Sequence, residues 1–245
     1  MKKEDYIDKM MDILQDPKKL KWHGDCATHD WTVKVEIYMQ ALLQKLNKTG
    51  EIPDYVYERI RPTGSTRPRL YGLPKVHQPG APLRPILVMV GSGQHATAQW
   101  LAEVLEPVLE RYSTFVLKDS FEFSDLIKEF SPPVCCFMCP YDIIGLFTNI
   151  LVDETIDICA DALYRSDAPL PSLKEGSFHK LIQKVTCRVE FSFNDVLYQQ
   201  VDRVSVGSPL GPVFTNIIVG YYEQNLDINN DLLCRRSVDG TFRIN

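Results

Sequence analysis

An aspartate that follows an apolar segment is the first feature of the sequence that could do chemistry. Asp142 comes shortly after the apolar run Val134–Met138, which predicts a short buried strand. A carboxylate at the end of such a strand lies at the rim of a sheet, where it can bind a divalent metal ion. The alternative is an aspartate that serves only a turn or caps a helix, and this residue alone does not decide between the two.

A second aspartate lies in a predicted hairpin near the other end of the sequence. Asp239 and Gly240 stand between two β-like runs within Leu232–Ile244. An Asp-Gly pair in that position is a strong signal for a tight turn, at which we place the hairpin. The turn alone accounts for the pair, so a chemical role for Asp239 needs further support.

A third segment combines a glycine with a serine and a proline. Gly207, Ser208 and Pro209 lead into an apolar helix that is predicted to run to Leu226. Glycine lets a backbone approach a ligand closely, and a helix N-terminus attracts anions. Both properties suit a phosphate, although an ordinary helix-entry loop has the same composition.

A basic stretch runs from residue 59 to residue 95 in a chain whose net charge is −5. It contains no acidic residue and six cations: Arg59, Arg61, Arg67, Arg69, Lys75 and Arg84. Lys75 and Arg84 stand on a predicted strand–loop–strand, where they could hold phosphates, the arginine through its bidentate fork. The overall charge argues against a nucleic-acid partner, whereas this clustering favours one. A solvated basic surface is the plain alternative.

Composition limits the class of protein. With 245 residues, 44% of them hydrophobic, the chain suits one domain or two small ones with a sizeable core. Its apolar runs are too short for the ~20 residues of a membrane span. The charged segment Met1–Asp8 lacks the apolar centre of a signal peptide. We therefore expect an intracellular protein without a membrane partner, whose seven cysteines are reduced thiols.

Local patterns predict the elements that must position these residues. Helical spacing of apolar residues predicts helices over Glu4–Gln15, Trp31–Leu46, Gln94–Tyr112, Glu154–Tyr164 and Phe178–Val189. Ser124 is expected to cap a further short helix that ends at Phe130, and Pro107 to kink the helix that contains it. Seven prolines between Ile52 and Val90 favour loops and short strands there. Hairpin patterns around Asn194-Asp195 and Asp239-Gly240, without a βαβ rhythm, predict an α+β fold.

In their order and spacing, these segments resemble the reverse transcriptases of Penelope-like retroelements, which are relatives of telomerase catalytic subunits. The phrases that carry the resemblance are Arg69-Leu-Tyr-Gly-Leu-Pro-Lys-Val-His77, Pro82-Leu-Arg-Pro85, Asp142-Ile-Ile-Gly-Leu-Phe-Thr-Asn-Ile150, Gly207-Ser-Pro-Leu-Gly-Pro212 and Arg236-Ser-Val-Asp-Gly-Thr-Phe242. The resemblance implies the fingers and palm of a right-hand polymerase, with an antiparallel palm sheet that has helices on one face. It implies a helical N-terminal extension (1–58), fingers with a basic strand–loop–strand (59–130) and an incomplete palm (131–245), and we expect the thumb to be absent.

The resemblance also implies RNA-directed DNA polymerase activity by two-metal nucleotidyl transfer. The implied metal ligands are Asp142, Asp239 and the backbone carbonyl of Ile143, with Mg²⁺ as the cofactor and Mn²⁺ as a substitute. The implied nucleotide contacts are Lys75, Arg84, Phe147, Gly207, Ser208 and Pro209. On charge alone, Arg67 and Arg69 are expected to touch the template backbone. The implied partners are an RNA template, a DNA primer and deoxynucleoside triphosphates, and a nuclear location is expected by resemblance only.

The sequence departs from the family pattern at the hairpin. Where the family has Arg-Tyr-Val-Asp-Asp-Thr-Phe, Ser237 replaces the tyrosine and Gly240 replaces the second aspartate. A lost carboxylate beside bound metal ions should slow the reaction by several orders of magnitude, since single electrostatic groups contribute about 3–4 kcal/mol or more. Arg203 in place of a glycine and Pro140 ahead of Asp142 are further departures. The alternatives are an impaired polymerase, a non-catalytic nucleic-acid-binding remnant and a domain with no present function.

Overall fold

The structure is a computed structural model that describes residues 1–15, 20–25, 31–76, 78–131, 136–143, 146, 150–165, 172–187, 189–200, 207–225, 232–238 and 240–244. The helices are α1 (Lys3–Leu14), α2 (Thr32–Lys48), α3 (Asp54–Ile60), α4 (His95–Val104), α5 (Glu106–Arg111), α6 (Ser120–Glu129), α7 (Val152–Tyr164), α8 (Glu175–Thr186) and α9 (Leu210–Asn225). The strands are β1 (Leu20–Asp25), β2 (Arg69–Pro74), β3 (Leu83–Val88), β4 (Met138–Asp142), β5 (Glu190–Phe193), β6 (Val196–Gln200), β7 (Leu233–Ser237) and β8 (Gly240–Ile244).

The described strands form two sheets. The five-stranded sheet has the order β1-β6-β5-β2-β3, and the three-stranded sheet has the order β4-β8-β7. Neighbours are antiparallel except β2 and β5, which pair in parallel at Arg69 and Ser192. The combination of helices with mainly antiparallel sheets confirms the predicted α+β class. The five-stranded sheet takes strands from all three predicted segments, and their boundaries at residues 58 and 130 stay a prediction.

Two groups of buried apolar side chains hold the layers together. The larger group lies between helices α2 to α5 and α7 to α9, and Leu43, Leu101, Leu181 and Phe214 are fully buried in it. The smaller group lies between α1 and the five-stranded sheet. Burial of apolar surface is the main favourable term in folding, so each sheet is positioned by the helices that cover it.

Glu51 joins the end of α2 to the start of α8. Its side chain is buried, and its carboxylate accepts hydrogen bonds from the Lys174 backbone N–H (3.1 Å) and the Thr49 hydroxyl (3.2 Å). The Ser172 hydroxyl donates to the Glu51 carbonyl at 2.9 Å. Burial raises the pKa of the Glu51 carboxyl, but hydrogen bonds from Ser177, Lys174 and Thr49 bring its pKa below the ordinary value. The carboxylate is therefore a structural acceptor.

Two predicted helices differ from the structure, because side-chain capping decides where a helix begins. The helix predicted to be capped by Ser124 is α6, and Asp119 is its cap, accepting from the N–H groups of Phe121 (2.8 Å) and Glu122 (2.9 Å). The proline-rich stretch contains α3, which Pro53 precedes. Proline is tolerated at a helix start because the N–H that it lacks would have no partner there.

The predicted kink at Pro107 is confirmed. The helical segment breaks at Leu105 into α4 and α5, and the proline lies in the first turn of α5. The predicted hairpin at Asn194-Asp195 is also confirmed, since β5 and β6 pair across those two residues and both have positive φ. The helices α1, α2, α7, α8 and α9 lie within a few residues of their predicted bounds.

The strand predicted over Val134–Met138 is displaced and exposed. Within the described residues the strand β4 begins at Met138, which is 67% exposed. Val134 itself lies outside the described residues. The reason for the exposure is position, since β4 is an edge strand of the three-stranded sheet. An apolar run alone does not distinguish an edge strand from a central one.

Candidate functional site

Asp142 lies at the end of β4, beside the start of β8. It pairs with Gly240, and Gly240 pairs on its other side with Ser237 of β7. Gly240 is therefore the first residue of β8, and the hairpin turns one residue earlier than the predicted Asp239-Gly240 position. Val238, the first residue after β7, has φ of 57°, as tight two-residue turns require. Asp239 lies outside the described residues, although it directly precedes Gly240 in the chain.

The pairing assigns side chains to the two faces of the three-stranded sheet. Residues directly opposite each other project from the same face, so Asp142 shares its face with Ser237 and with the position of Gly240. Further along that face, Phe242 contacts Phe123 of α6, with ring centroids 5.1 Å apart. The other face lies toward α9. The acid of β4 thus lies on the face opposite α9, at the end of the sheet where β8 begins.

A buried ion pair fixes the hairpin from behind. Arg236 of β7 is fully buried, and its Nε donates to Oε1 of Glu223 in α9 at 2.9 Å. Its Nη1 donates to Asn216 Oδ1 (2.8 Å) and to the Val238 carbonyl (3.2 Å). Burial raises the pKa of Glu223, and the charge and hydrogen bond of Arg236 oppose that rise. Sequence reasoning missed these residues, although an arginine at an inward position of a strand was a usable signal.

The described residues supply part of a metal site. The Asp142 carboxylate is exposed and has no hydrogen bond or ion pair to a described residue. Mg²⁺ needs only one or two protein carboxylates, with water and substrate phosphates completing its shell, so Asp142 fits one ligand position. Ile143 is half-buried and packs against the helical core. Within the part of the chain that the structure describes, no group of three His, Cys, Asp or Glu side chains could hold a metal ion.

Gly240 has room for a side chain. A Cβ atom added there would meet only the Ser237 carbonyl oxygen, at an ordinary contact distance of 3.7 Å. Its φ is not positive. An aspartate would therefore fit at this position, on the face that carries Asp142.

The hairpin of β2 and β3 presents cations on one face. Leu73 pairs with Arg84, and the Lys75 N–H donates to the Pro82 carbonyl at 2.9 Å, which extends the ladder by one pair. Alternation then places Lys75 and Arg84 on one face, together with Arg69, Tyr71, Leu73, Ile86 and Val88. We call this set the hairpin face. Arg84 is exposed and Lys75 is half-buried.

Helix α1 supports the opposite face of the same hairpin. Met10 and Leu14 are buried against Leu83 and Leu87. The Gly72 N–H donates to the Tyr6 hydroxyl at 2.8 Å. The Lys9 ammonium donates to the carbonyls of Gly80 and Ala81 in the β2–β3 loop. The predicted N-terminal helix thus holds the hairpin and leaves the hairpin face uncovered by α1.

The Gly207 loop packs on the backbone of β3. Gly207 has φ of 111°, and a Cβ atom there would lie 3.0 Å from the carbonyl carbon of Leu87 and closer still to its oxygen. Ser208 is buried, and its hydroxyl accepts from the Leu210 N–H at 3.3 Å at the start of α9. These contacts explain the glycine and the serine without a ligand. Nucleotide binding by Gly207, Ser208 and Pro209 stays a prediction.

Arg67 and Arg69 line an open groove of about 780 Å³ between β2 and the β5–β6 hairpin. Arg69 is exposed and Arg67 is half-buried. Ser192 and Asn194 form part of the opposite wall. The groove offers cations and neutral hydrogen-bonding groups, a combination that suits a phosphate backbone. Phe147, the predicted steric residue, lies outside the described residues.

Comparison with known proteins identifies the fold. No protein-family model and no curated protein matches the chain. Apo telomerase from Candida tropicalis matches with a TM-score of 0.55 at 12% identity, over 82% of this chain and 44% of that one. Telomerase from Candida albicans, in complex with the TWJ fragment of telomeric RNA, matches with a TM-score of 0.53 at 12% identity, over 96% and 46%.

These likenesses show the class of fold. The chain has a telomerase-like reverse-transcriptase fold of mixed helices and antiparallel sheets. It spans less than half the length of the two telomerase chains. None of the helices in the described ranges combines the length and the apolar composition that a membrane crossing requires.

Proposed function

We propose that the chain is the fingers and palm of an RNA-directed DNA polymerase of the Penelope-like retroelement type. The observation that carries the proposal is the pairing of Asp142 with Gly240. It joins two segments far apart in sequence, each of which has an aspartate that the family motif makes a metal ligand. The telomerase-like fold and the cationic hairpin face support the same conclusion. An enzyme of this type would act in the nucleus.

The proposed substrates are an RNA template, a DNA primer and deoxynucleoside triphosphates. Lys75 and Arg84 on the hairpin face would neutralise the triphosphate, and Arg67 and Arg69 would hold template phosphates in the groove beside β5. The remaining proposed nucleotide contacts are Phe147, Gly207, Ser208 and Pro209. Mg²⁺ or Mn²⁺, held by Asp142, Asp239 and the Ile143 carbonyl, would stabilise the negative charge that develops during nucleotidyl transfer.

Gly240 limits the rate in this proposal. It occupies the position of a carboxylate in the motif and contributes no ligand oxygen. The space at Gly240 lets the missing group be added without disturbing the hairpin. An electrostatic group at a reacting centre contributes about 10²–10³ in rate, so Gly240→Asp should raise the rate by about that factor.

The test is primer extension on an RNA template with Mg²⁺, using the chain, Gly240→Asp, and Gly240→Asp combined with Asp142→Asn. We expect little or no product from the chain, clear product from Gly240→Asp, and none from the double variant. Gly176→Asp is the control for added charge, because Gly176 lies in α8 with open space around it. It should behave like the unchanged chain. The proposal fails if Gly240→Asp extends no primer, or if product persists in the double variant.

A non-catalytic nucleic-acid-binding role is the second candidate. It is favoured by the cationic hairpin face together with the absence of a carboxylate at residue 240. Binding of a single-stranded RNA should weaken with salt, and Arg84→Ala should lower the slope of log K against log[salt] by about 0.7. Arg59→Ala is the matched control, because Arg59 lies on α3 and pairs with Glu103 at 2.6 Å. Unchanged binding in Arg84→Ala, or no binding at low salt, would exclude this role.

A further inference from the structure

A cavity of about 460 Å³ lies between the three-stranded sheet and α9. Most of its described lining is apolar and comes from both layers: Ile143, Leu146, Ile150, Ile218, Val219 and Cys234. Tyr141 and Tyr222 also line it, and they are 51% and 47% exposed. These two rings therefore lie where the cavity opens to solvent. The volume is within the range of small-molecule sites.

One polar atom in this lining has no partner. Glu223 is 6% exposed, and its Oε1 accepts from Arg236 Nε. Its other oxygen, Oε2, is buried and has no hydrogen-bond partner among the described residues. Arg236 Nη2 is also unpartnered, but Arg236 is not part of the described lining. Since buried polar atoms are nearly always hydrogen-bonded, the position of Oε2 points to a donor supplied by a ligand.

The walls define the chemistry of that ligand. Apolar side chains and two tyrosine rings suit a flat aromatic molecule. The charge of Glu223 is already compensated by Arg236, so a cationic ligand would lose its hydration without gaining a net counter-charge. A neutral molecule with one N–H donor satisfies Oε2 at a smaller desolvation cost.

We propose that this cavity binds a neutral polycyclic aromatic molecule, which donates an N–H hydrogen bond to Glu223 Oε2. Only Ile143 is shared with the proposed polymerase site, where its backbone carbonyl is the relevant group. The inference therefore stands or falls independently of nucleotidyl transfer.

The test compares two fluorescent probes of nearly equal shape. Carbazole has one N–H donor, whereas 9-methylcarbazole has none. Titrated into the full chain, carbazole should bind at least about tenfold more tightly than 9-methylcarbazole, because hydrogen bonds to charged groups are the strong ones. Absence of saturable carbazole binding, or equal affinities for the two probes, would overturn the proposal.

Two variants locate the binding. Val219→Phe should fill the cavity and abolish carbazole binding, whereas Val33→Phe, at an exposed position of α2, should leave it unchanged. Glu223→Leu combined with Arg236→Met removes the ion pair without leaving a buried charge, and the two probes should then bind equally. Circular dichroism establishes that each variant is folded. Undiminished carbazole binding in folded Val219→Phe would contradict the assignment to this cavity.

Discussion

Replacing Gly207 by alanine tests how the structure places the loop before α9. Two separate effects oppose a side chain there. The residue has φ of 111°, and left-handed backbone conformations cost an L residue roughly 1–2 kcal/mol. A Cβ atom would also collide with the backbone carbonyl of Leu87 in β3, and overpacking costs about 1–3 kcal/mol. Together they predict a loss of about 2–5 kcal/mol in the free energy of unfolding.

Three other glycines separate these effects. Gly64 has φ of 63° and open space around it, so Gly64→Ala should lose only the conformational part, about 1–2 kcal/mol. Gly220 has helical φ, but a Cβ atom there would lie 2.8 Å from Cβ of Tyr112 and closer still to its carbonyl oxygen, so Gly220→Ala should lose about 1–3 kcal/mol. Gly176, in α8, has neither constraint. Gly176→Ala should gain about 0.5–1 kcal/mol.

Urea unfolding followed by circular dichroism measures all four variants. The midpoint should move while the slope m stays constant, since the surface exposed on unfolding does not change. If Gly207→Ala lost less than Gly64→Ala, the contact between the loop and β3 would be refuted. A destabilised Gly176→Ala would instead show that the magnitudes do not transfer to this protein.

Three smaller predictions concern single hydrogen-bonding groups. Tyr6→Phe removes the acceptor of the Gly72 N–H and should lower the free energy of unfolding by about 1–3 kcal/mol in urea. Asp119→Ala removes the cap of α6 and should lower it by about 0.5–2 kcal/mol; an unchanged midpoint would contradict the capping geometry. The pKa of Glu51 is below its ordinary value in the folded chain, so the stabilisation that it confers is present above pH 4.5 and is lost as the pH falls through the folded pKa. Unfolding midpoints measured between pH 7 and pH 3 should therefore fall less steeply in Glu51→Gln than in the unchanged chain, and parallel curves would exclude this role.

The sequence by itself determined the features that depend on a few neighbouring residues. Apolar spacing located α1 and α2, Pro107 located the break between α4 and α5, and Asn194-Asp195 located a hairpin. These signals are local because helix periodicity, the missing proline N–H and positive φ act within one turn of chain. The motif phrases also predicted a reverse-transcriptase fold, which the telomerase likeness supports at 12% identity.

Only the tertiary structure decided which distant segments meet. The pairing of Asp142 with Gly240, the parallel contact between β2 and β5, and the Gly207 loop on β3 each join stretches with no local signal for the partner. The same holds for the Arg236–Glu223 pair and for the cavity beside it. Such contacts depend on how helices and sheets pack as layers, and burial against a neighbour is a property of the folded whole.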